Sequence, residues 1–343
     1  MLEDHIAKYH TFKPEGRISK AQQRVLKILA DPAYSCKAKQ RESAALTYEA
    51  NRRSFLLEPE VAQLETEVVR DKLTHAWEFG KENYQHGNIT DEYLLHLNYL
   101  IDSTHASTRT FSFAGEDYRK DNIQVTGHDA VKPVKGQRVS EEMYNLMEYL
   151  NDENLNAVTR AINAHMHIAR IHPFYEGNGR TSRMLMNIML QQNGMPAVTI
   201  PKNERETYMG ILRGAMRGYN SRMESSNPGD SGSETLFINY HLDKMSTFLD
   251  NLAENLKNHR GYAINTENFE PGQVMTAKHE IQNAFRSRGD NGTCRLIDSR
   301  HLHVTGNIGE KTLSGIMERS AGRRGKFDVL PVKPSEDDLK CEE

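Results

Sequence analysis

The segment RIHPFYEGNGRTSRMLMN, Arg170–Asn187, constrains this chain more than any other. It joins two stretches with helical periodicity. Val158, Ile162, His165, Met166 and Ala169 form one stripe before it. Met184, Leu185, Ile188 and Met189 form another after it, ended by Asn193-Gly194. Between them Gly177-Asn178-Gly179 makes a tight turn whose backbone can approach a ligand closely. The helix that follows presents free N–H groups and a partial positive charge, a setting that favours phosphate. Arg180 and Arg183 share a face of its first turn. Cations avoid a helix N-terminus, so an anion is the missing partner. Glu176 has the wrong sign for a phosphate but suits Mg²⁺ shared with phosphate oxygens. His172 can take a proton near neutral pH. The set reads as a nucleotide-phosphate cradle with a metal and a base, arranged for phosphoryl-type transfer. No GK[ST] follows the glycines, so this is not a Walker loop.

The same residues resemble the signature of the Fic family, HxFx[D/E]GNGRxxR. It is matched at His172, Phe174, Glu176, Gly177, Asn178, Gly179, Arg180 and Arg183. The resemblance runs from about Thr90 to Lys257. YRKDNIQVTGHDAVKP resembles the family's flap over the active site, and PAVTIPKNERETYMGIL the segment after the motif helix. What this implies is adenylylation, the transfer of AMP from ATP to a Ser, Thr or Tyr hydroxyl of a target protein. His172 would be the general base and Glu176 would hold Mg²⁺. Asn178 and the Gly177–Gly179 amides would cradle the phosphates. Arg180 and Arg183 would bind the β- and γ-phosphates. Ile123, Gln124, Val125 and Thr126 of the flap would line the nucleotide and pair with the target as an added strand. Tyr208 occupies the position of a nucleotide-contacting tyrosine; an ordinary helix tyrosine is the other reading.

Many members carry an inhibitory helix with the pattern [ST]xxxE[GN]. The candidate here lies in SAALTYEANRRSFLLEPE, with Glu49 as the inhibitory residue and Arg183 as its partner. Ala45 and Ala50 depart from the pattern, and the downstream FLLEPEV also fits in spacing. The alternative is a surface pair of Glu49 with Arg53. In related members the same glutamate helps remove AMP from the target, so reverse activity is a further implication.

The expected fold is mainly α: an N-terminal helical region over 1–88 with the brake, a Fic core over 89–258 with a β-hairpin flap, and a small C-terminal domain over 262–343. DSRHLHVTGNIGEKTLSGIMERS followed by a basic turn and a strand resembles a winged helix-turn-helix. Lys311 would open the second helix, and Arg319, Arg323, Arg324 and Lys326 would make phosphate contacts there, which makes nucleic acid a candidate partner. A target-recruiting or homodimer-forming module is the other reading. Ser221–Glu234 is polar and reads as a mobile loop.

Composition narrows the class. A net charge of −3 argues against a wholly basic nucleic-acid binder. No apolar run reaches about 18 residues, so no membrane span is expected. The start, MLEDHIAKYHTFKPEG, lacks the features of a signal peptide. Cys36, Cys294 and Cys341 are far apart, as reduced thiols would be. A cytoplasmic location, or delivery to a host cell as an effector, fits these features. Two competing functions stay open: a Fic transferase with another nucleotide donor, and a nucleic-acid-binding regulator whose Fic core is repressed.

Overall fold

The computed structural model describes residues 15–31, 34, 36–57, 66–101, 118–125, 130–224, 232–257, 259–266, 269–290, 292–298, 301–321 and 327–331. The elements are helices α1 (Glu15–Ala30), α2 (Cys36–Phe55), α3 (Thr66–Glu82), α4 (Asp91–Ile101), α5 (Val139–Asn151), α6 (Ala157–Ile171), α7 (Asn178–Gln192), α8 (Arg205–Glu224) and α9 (Gly232–Lys257). After these come β1 (Gly261–Asn265), α10 (Pro271–Ser287), β2 (Thr293–Asp298), β3 (His301–Thr305), α11 (Glu310–Ala321) and β4 (Asp328–Pro331). The chain forms two compact units, residues 1–25 with 47–248 and residues 26–46 with 249–343. The fold is mainly helical, as expected from the sequence, and carries a small antiparallel sheet that was not expected.

In the first unit α6 and α7 are the central pair. Almost every residue of both is buried, so the stripes seen in the sequence widen to whole helices. Asn156 caps α6 by accepting from the Val158 and Thr159 amides at 3.0 and 3.1 Å. Thr90 caps α4, accepting from the Tyr93 amide at 3.2 Å. Around α6 and α7 a single core gathers Leu73, Leu94, Leu97, Leu146, Ile162, Leu185, Ile188, Leu212 and Phe237. A Cβ on Gly80 of α3 would lie 2.2 Å from Ile188 Cδ1, so α3 and α7 touch where a side chain is missing.

Two expectations in this unit change. The segment Ser221–Glu234 is helical at both ends, since α8 runs to Glu224 and α9 starts at Gly232. Arg222 donates to both carboxylate oxygens of Glu234, and both side chains are buried. That buried pair pins the two helix ends together. The described parts of the flap, 118–125 and 130–135, form no strand. Residues 102–117 and 126–129, Thr126 among them, lie outside the described residues.

The second unit departs further. Its strands run antiparallel in the order β2-β3-β1-β4. The chain order β1-α10-β2-β3-α11-β4 makes this a split βαβ arrangement. The expected first helix of the helix-turn-helix is strand β3 instead. Leu302 and Val304 point into the core while His301, His303 and Thr305 alternate to the other face. Tyr262 and Ile264 of β1 do the same, and α10 and α11 supply Val274, Ile281, Phe285, Leu313 and Ile316 to that core. Two strands therefore separate α10 from α11, where a helix-turn-helix needs a short turn. Of the basic residues expected there, Lys311 is exposed and Arg319 reaches Glu280 at 3.6 Å. Arg323, Arg324 and Lys326 lie outside the described residues.

Candidate active site

The site is built on the end of α6, the turn, and the start of α7. His172 is the C-cap of α6, with φ 56° and ψ 57°. It is the one non-glycine residue with positive φ among the described residues. Its amide donates to the Ile168 carbonyl at 2.8 Å, and its Nδ1 lies 3.3 Å from the Ala169 carbonyl. A carbonyl only accepts, so Nδ1 carries the proton in that contact. Gly177 caps α7 with φ 76°, a conformation glycine takes without strain.

Asn178 takes a different part from the one expected. Its Oδ1 accepts from the Phe174 amide at 2.9 Å and its Nδ2 donates to the Phe174 carbonyl at 2.8 Å. The buried side chain is a brace that closes the loop, and what Asn178 can offer a phosphate is its backbone. Asn98 of α4 adds a second brace, donating to the Glu176 carbonyl and to Thr181 Oγ1. Glu176 itself is exposed.

Both arginines are buried. The Arg180 guanidinium lies 5.3 Å from the centre of the Phe55 ring. Arg183 donates from Nε to Ser54 Oγ at 2.7 Å and from Nη2 to the Ser54 carbonyl at 2.9 Å. Its Nη1 faces the Tyr208 hydroxyl at 3.5 Å. Ser54 was not singled out from sequence. It belongs to a polar seam between α2 and α7. Thr47 accepts from Gln191, Asn51 accepts from Asn187 at 2.8 Å, and Ser54 accepts from Arg183. Positions 47, 51 and 54 share one helical face, as do 183, 187 and 191.

Glu49 does not reach Arg183. Its two oxygens accept from Arg52 Nε at 2.8 Å and Arg53 Nε at 2.7 Å. The hydrogen bond from Arg52, followed by that from Arg53, holds the Glu49 carboxyl below its ordinary value against the effect of burial. The reason is geometric: the seam uses 47, 51 and 54, and position 49 falls on another face. The Glu49–Arg53 pair read as the alternative is the one formed.

Tyr208 is fully buried and stacks on His165, with ring centres 5.8 Å apart. Its hydroxyl is 2.7 Å from His165 Nε2, and His165 Nδ1 is 2.9 Å from Ser182 Oγ. Ser182 donates to the Gly179 carbonyl at 2.9 Å. The hydrogen bonds therefore run one way: Tyr208 O–H to His165, then His165 Nδ1–H to Ser182 and on to Gly179. Burial, with His241 and Arg183 nearby, pushes His165 well below its ordinary pKa and keeps it neutral.

One apolar-walled pocket joins these parts. It is lined by His172, Gly179, Arg183 and Tyr208, by Val125 and Val131 of the flap, and by Leu57, Leu212 and Met216. A flat aromatic group fits walls of that kind, and His172 and Arg183 supply polar groups to the same pocket. Of the flap residues named from sequence, Val125 lines this pocket, Ile123 is half-buried and Gln124 is exposed.

Residues 88–190 match the model of the Fic/DOC family. They form a Fic domain. Over 107 residues the chain is 40% identical to the protein adenylyltransferase Fic of Drosophila willistoni, covering 30% of this chain and 21% of that protein. The protein of the same name from Drosophila melanogaster is 39% identical over 107 residues. The match thus spans about a fifth of the length of these curated relatives. Among solved structures, a Fic domain containing signaling protein from Bacteroides thetaiotaomicron is similar in fold, with a TM-score of 0.53 at 20% identity. It covers 70% of this chain and 97% of that one.

Sequence reasoning missed two residues of this site: Ser54, and Arg119, which is 1% exposed beneath the His172 loop. Ser54 could have been found from the polar stripe at 47, 51 and 54. For Arg119 no signal in the sequence marks it as buried.

Proposed function

We propose that this chain is a protein adenylyltransferase. It transfers AMP from ATP to a hydroxyl of a target protein. The observation that carries this reading is the single pocket in which His172, Gly179 and Arg183 meet an apolar slot. The adenine and ribose enter the slot, and the phosphates lie over the N-terminus of α7. The target hydroxyl gives its proton to His172 Nε2 as its oxygen attacks the α-phosphorus. The bond from that phosphorus to the bridging oxygen breaks, and pyrophosphate leaves. Arg183, released from Ser54, and Arg180 neutralise the charge that gathers on the leaving group. Among the described residues no three His, Cys, Asp or Glu side chains converge on a metal site. A lone carboxylate that shares Mg²⁺ with substrate phosphates fits Glu176. Mg²⁺ would supply charge neutralisation there.

The brake belongs to the end of α2. Ser54 takes two donors of Arg183, and Leu57 lies in the pocket wall. Ser54 also opens the spacing Ser-x-x-x-Glu that ends at Glu58, although Pro59 follows in place of Gly or Asn. Glu58 lies outside the described residues. It replaces Glu49 as the inhibitory candidate because Ser54, not Glu49, faces Arg183.

The test is transfer of label from [α-³²P]ATP to protein in a cell lysate with Mg²⁺. Wild type should label weakly, Glu58→Gly strongly and His172→Ala not at all, with Glu49→Gly equal to wild type. Label from another nucleotide but not from ATP would replace the donor. No label from any nucleotide with any variant would remove the reading.

A further inference from the structure

Arg119 makes four hydrogen bonds to backbone carbonyls. Nε donates to His172 O at 2.6 Å and Nη2 to Ile171 O at 3.0 Å. Nη1 donates to Asp121 O at 2.7 Å and Nη2 to Val134 O at 2.6 Å. Its own amide donates to Pro173 O at 2.9 Å. The acceptors come from two places. Ile171 and His172 end α6, where carbonyls have no helical partner and a cation is favoured. Asp121 and Val134 lie on the two stems of the flap.

Neighbouring contacts join the same two places. Asn122 Oδ1 accepts from the Gly136 amide at 3.0 Å, which ties one flap stem to the other. A Cβ on Gly136 would lie 2.0 Å from the Lys120 carbonyl oxygen, so the stems meet at a distance only glycine permits. Tyr175 of the catalytic loop donates to Asp121 Oδ2 at 3.0 Å. The Tyr118 ring packs on Phe174 with centres 5.9 Å apart.

We propose that Arg119 is the positioning residue of this site: it holds His172 in its left-handed conformation and makes the catalytic loop and both flap stems one rigid unit. This rests on His172 being the base, and it deepens that reading. A non-glycine residue stays in this conformation when its surroundings over-determine it. Here the His172 carbonyl is fixed by Arg119, its amide by Ile168, and its ring by Ala169. The flap, which would align the target segment, is set by the same guanidinium. A rigid planar fork with five N–H donors can serve all four acceptors at once, whereas an ammonium has only three donors. The target hydroxyl and its base are thereby placed by one side chain.

The test compares Arg119→Lys and Arg119→Gln with the parent, in wild-type and Glu58→Gly backgrounds. Arg119→Lys keeps the charge and the stem, so it guards against a fold lost outright. The expected result is kcat lower by about 100-fold, the scale of a small misplacement of reacting groups, with KM for ATP little changed. The second readout needs no activity. In ¹⁵N-histidine-labelled protein, with the His172 signals assigned from His172→Ala, the parent should show one neutral Nδ1–H tautomer. Arg119→Lys should show a mixture. Unchanged His172 ring signals in a folded Arg119→Lys protein would overturn the proposal, whether or not the parent transfers AMP. Equal loss in kcat and KM along with thermal stability would also overturn it, since a purely structural arginine gives that pattern. Parent protein without transfer but with the tautomer shift would leave Arg119 as the residue that positions His172 and remove adenylylation instead.

Discussion

The two sides of α7 are held in different ways. Towards the core, Leu185, Ile188 and Met189 pack with Ile162 and Met166 of α6. Towards α2, Arg183, Asn187 and Gln191 meet Ser54, Asn51 and Thr47 through hydrogen bonds. Apolar burial is lost wholesale when such a contact opens, whereas a polar seam can exchange its partners for water. The core side is therefore permanent. The seam side suits a contact that must be released for Arg183 to meet a phosphate. An inhibitory helix fixed by leucines would be a structural helix.

Acid should separate the two sides most strongly. His165 is buried against Ser182 of α7, and His167 and His241 are buried elsewhere in the same unit. Burial holds His165 and His167 well below their ordinary pKa and lowers His241 to about 4. Because these folded-state values are depressed, the unfolded chain binds more protons below about pH 6.5. Stability is full above that pH and falls as pH drops towards the folded values. The slope expected is about 1.4 kcal/mol per pH unit for each histidine, roughly 4 for the three together. Urea unfolding at a series of pH values from neutral to acid measures it, and His241→Phe should remove about a third.

Ile188→Ala should lower stability by about 2–5 kcal/mol without raising AMP transfer, because it opens a cavity against α3 and α6. Asn51→Ala should lower it by about 1 kcal/mol and raise transfer, because Asn187 keeps the Val198 carbonyl as a partner at 3.3 Å. Thermal melts and label transfer on the same preparations check both. If Asn51→Ala matched Ile188→Ala in stability and left transfer unchanged, the two sides would not differ in kind. Glu49→Ala should have the smallest effect, about 0.5 kcal/mol, with transfer unchanged, since its pairs with Arg52 and Arg53 are partly exposed.

The sequence showed what depends on local spacing. His172, the glycine turn and the two arginines sit within one short segment, and the helices around it carry long periodic stripes. What it hid depends on contacts far apart in the chain. Arg119 looks like any surface arginine until its four acceptors are brought round it. Asn178 looks like a ligand group until Phe174 takes both ends of its amide. Glu49 fits a motif that does not say which face of α2 is turned inward. In the C-terminal unit the strands are four to six residues long. Over that length a segment such as HLHVT satisfies a helical reading as well as an alternating one.

The donors that Arg183 gives to Ser54 are the ones a phosphate would claim. If ATP binds as proposed, it and the end of α2 would compete for the same N–H groups, and docking of that segment would become a titratable function of nucleotide concentration. Amide exchange over 47–55 should quicken as ATP is added to His172→Ala protein, where no AMP is consumed. An enzyme made this way would read its own donor supply before spending it.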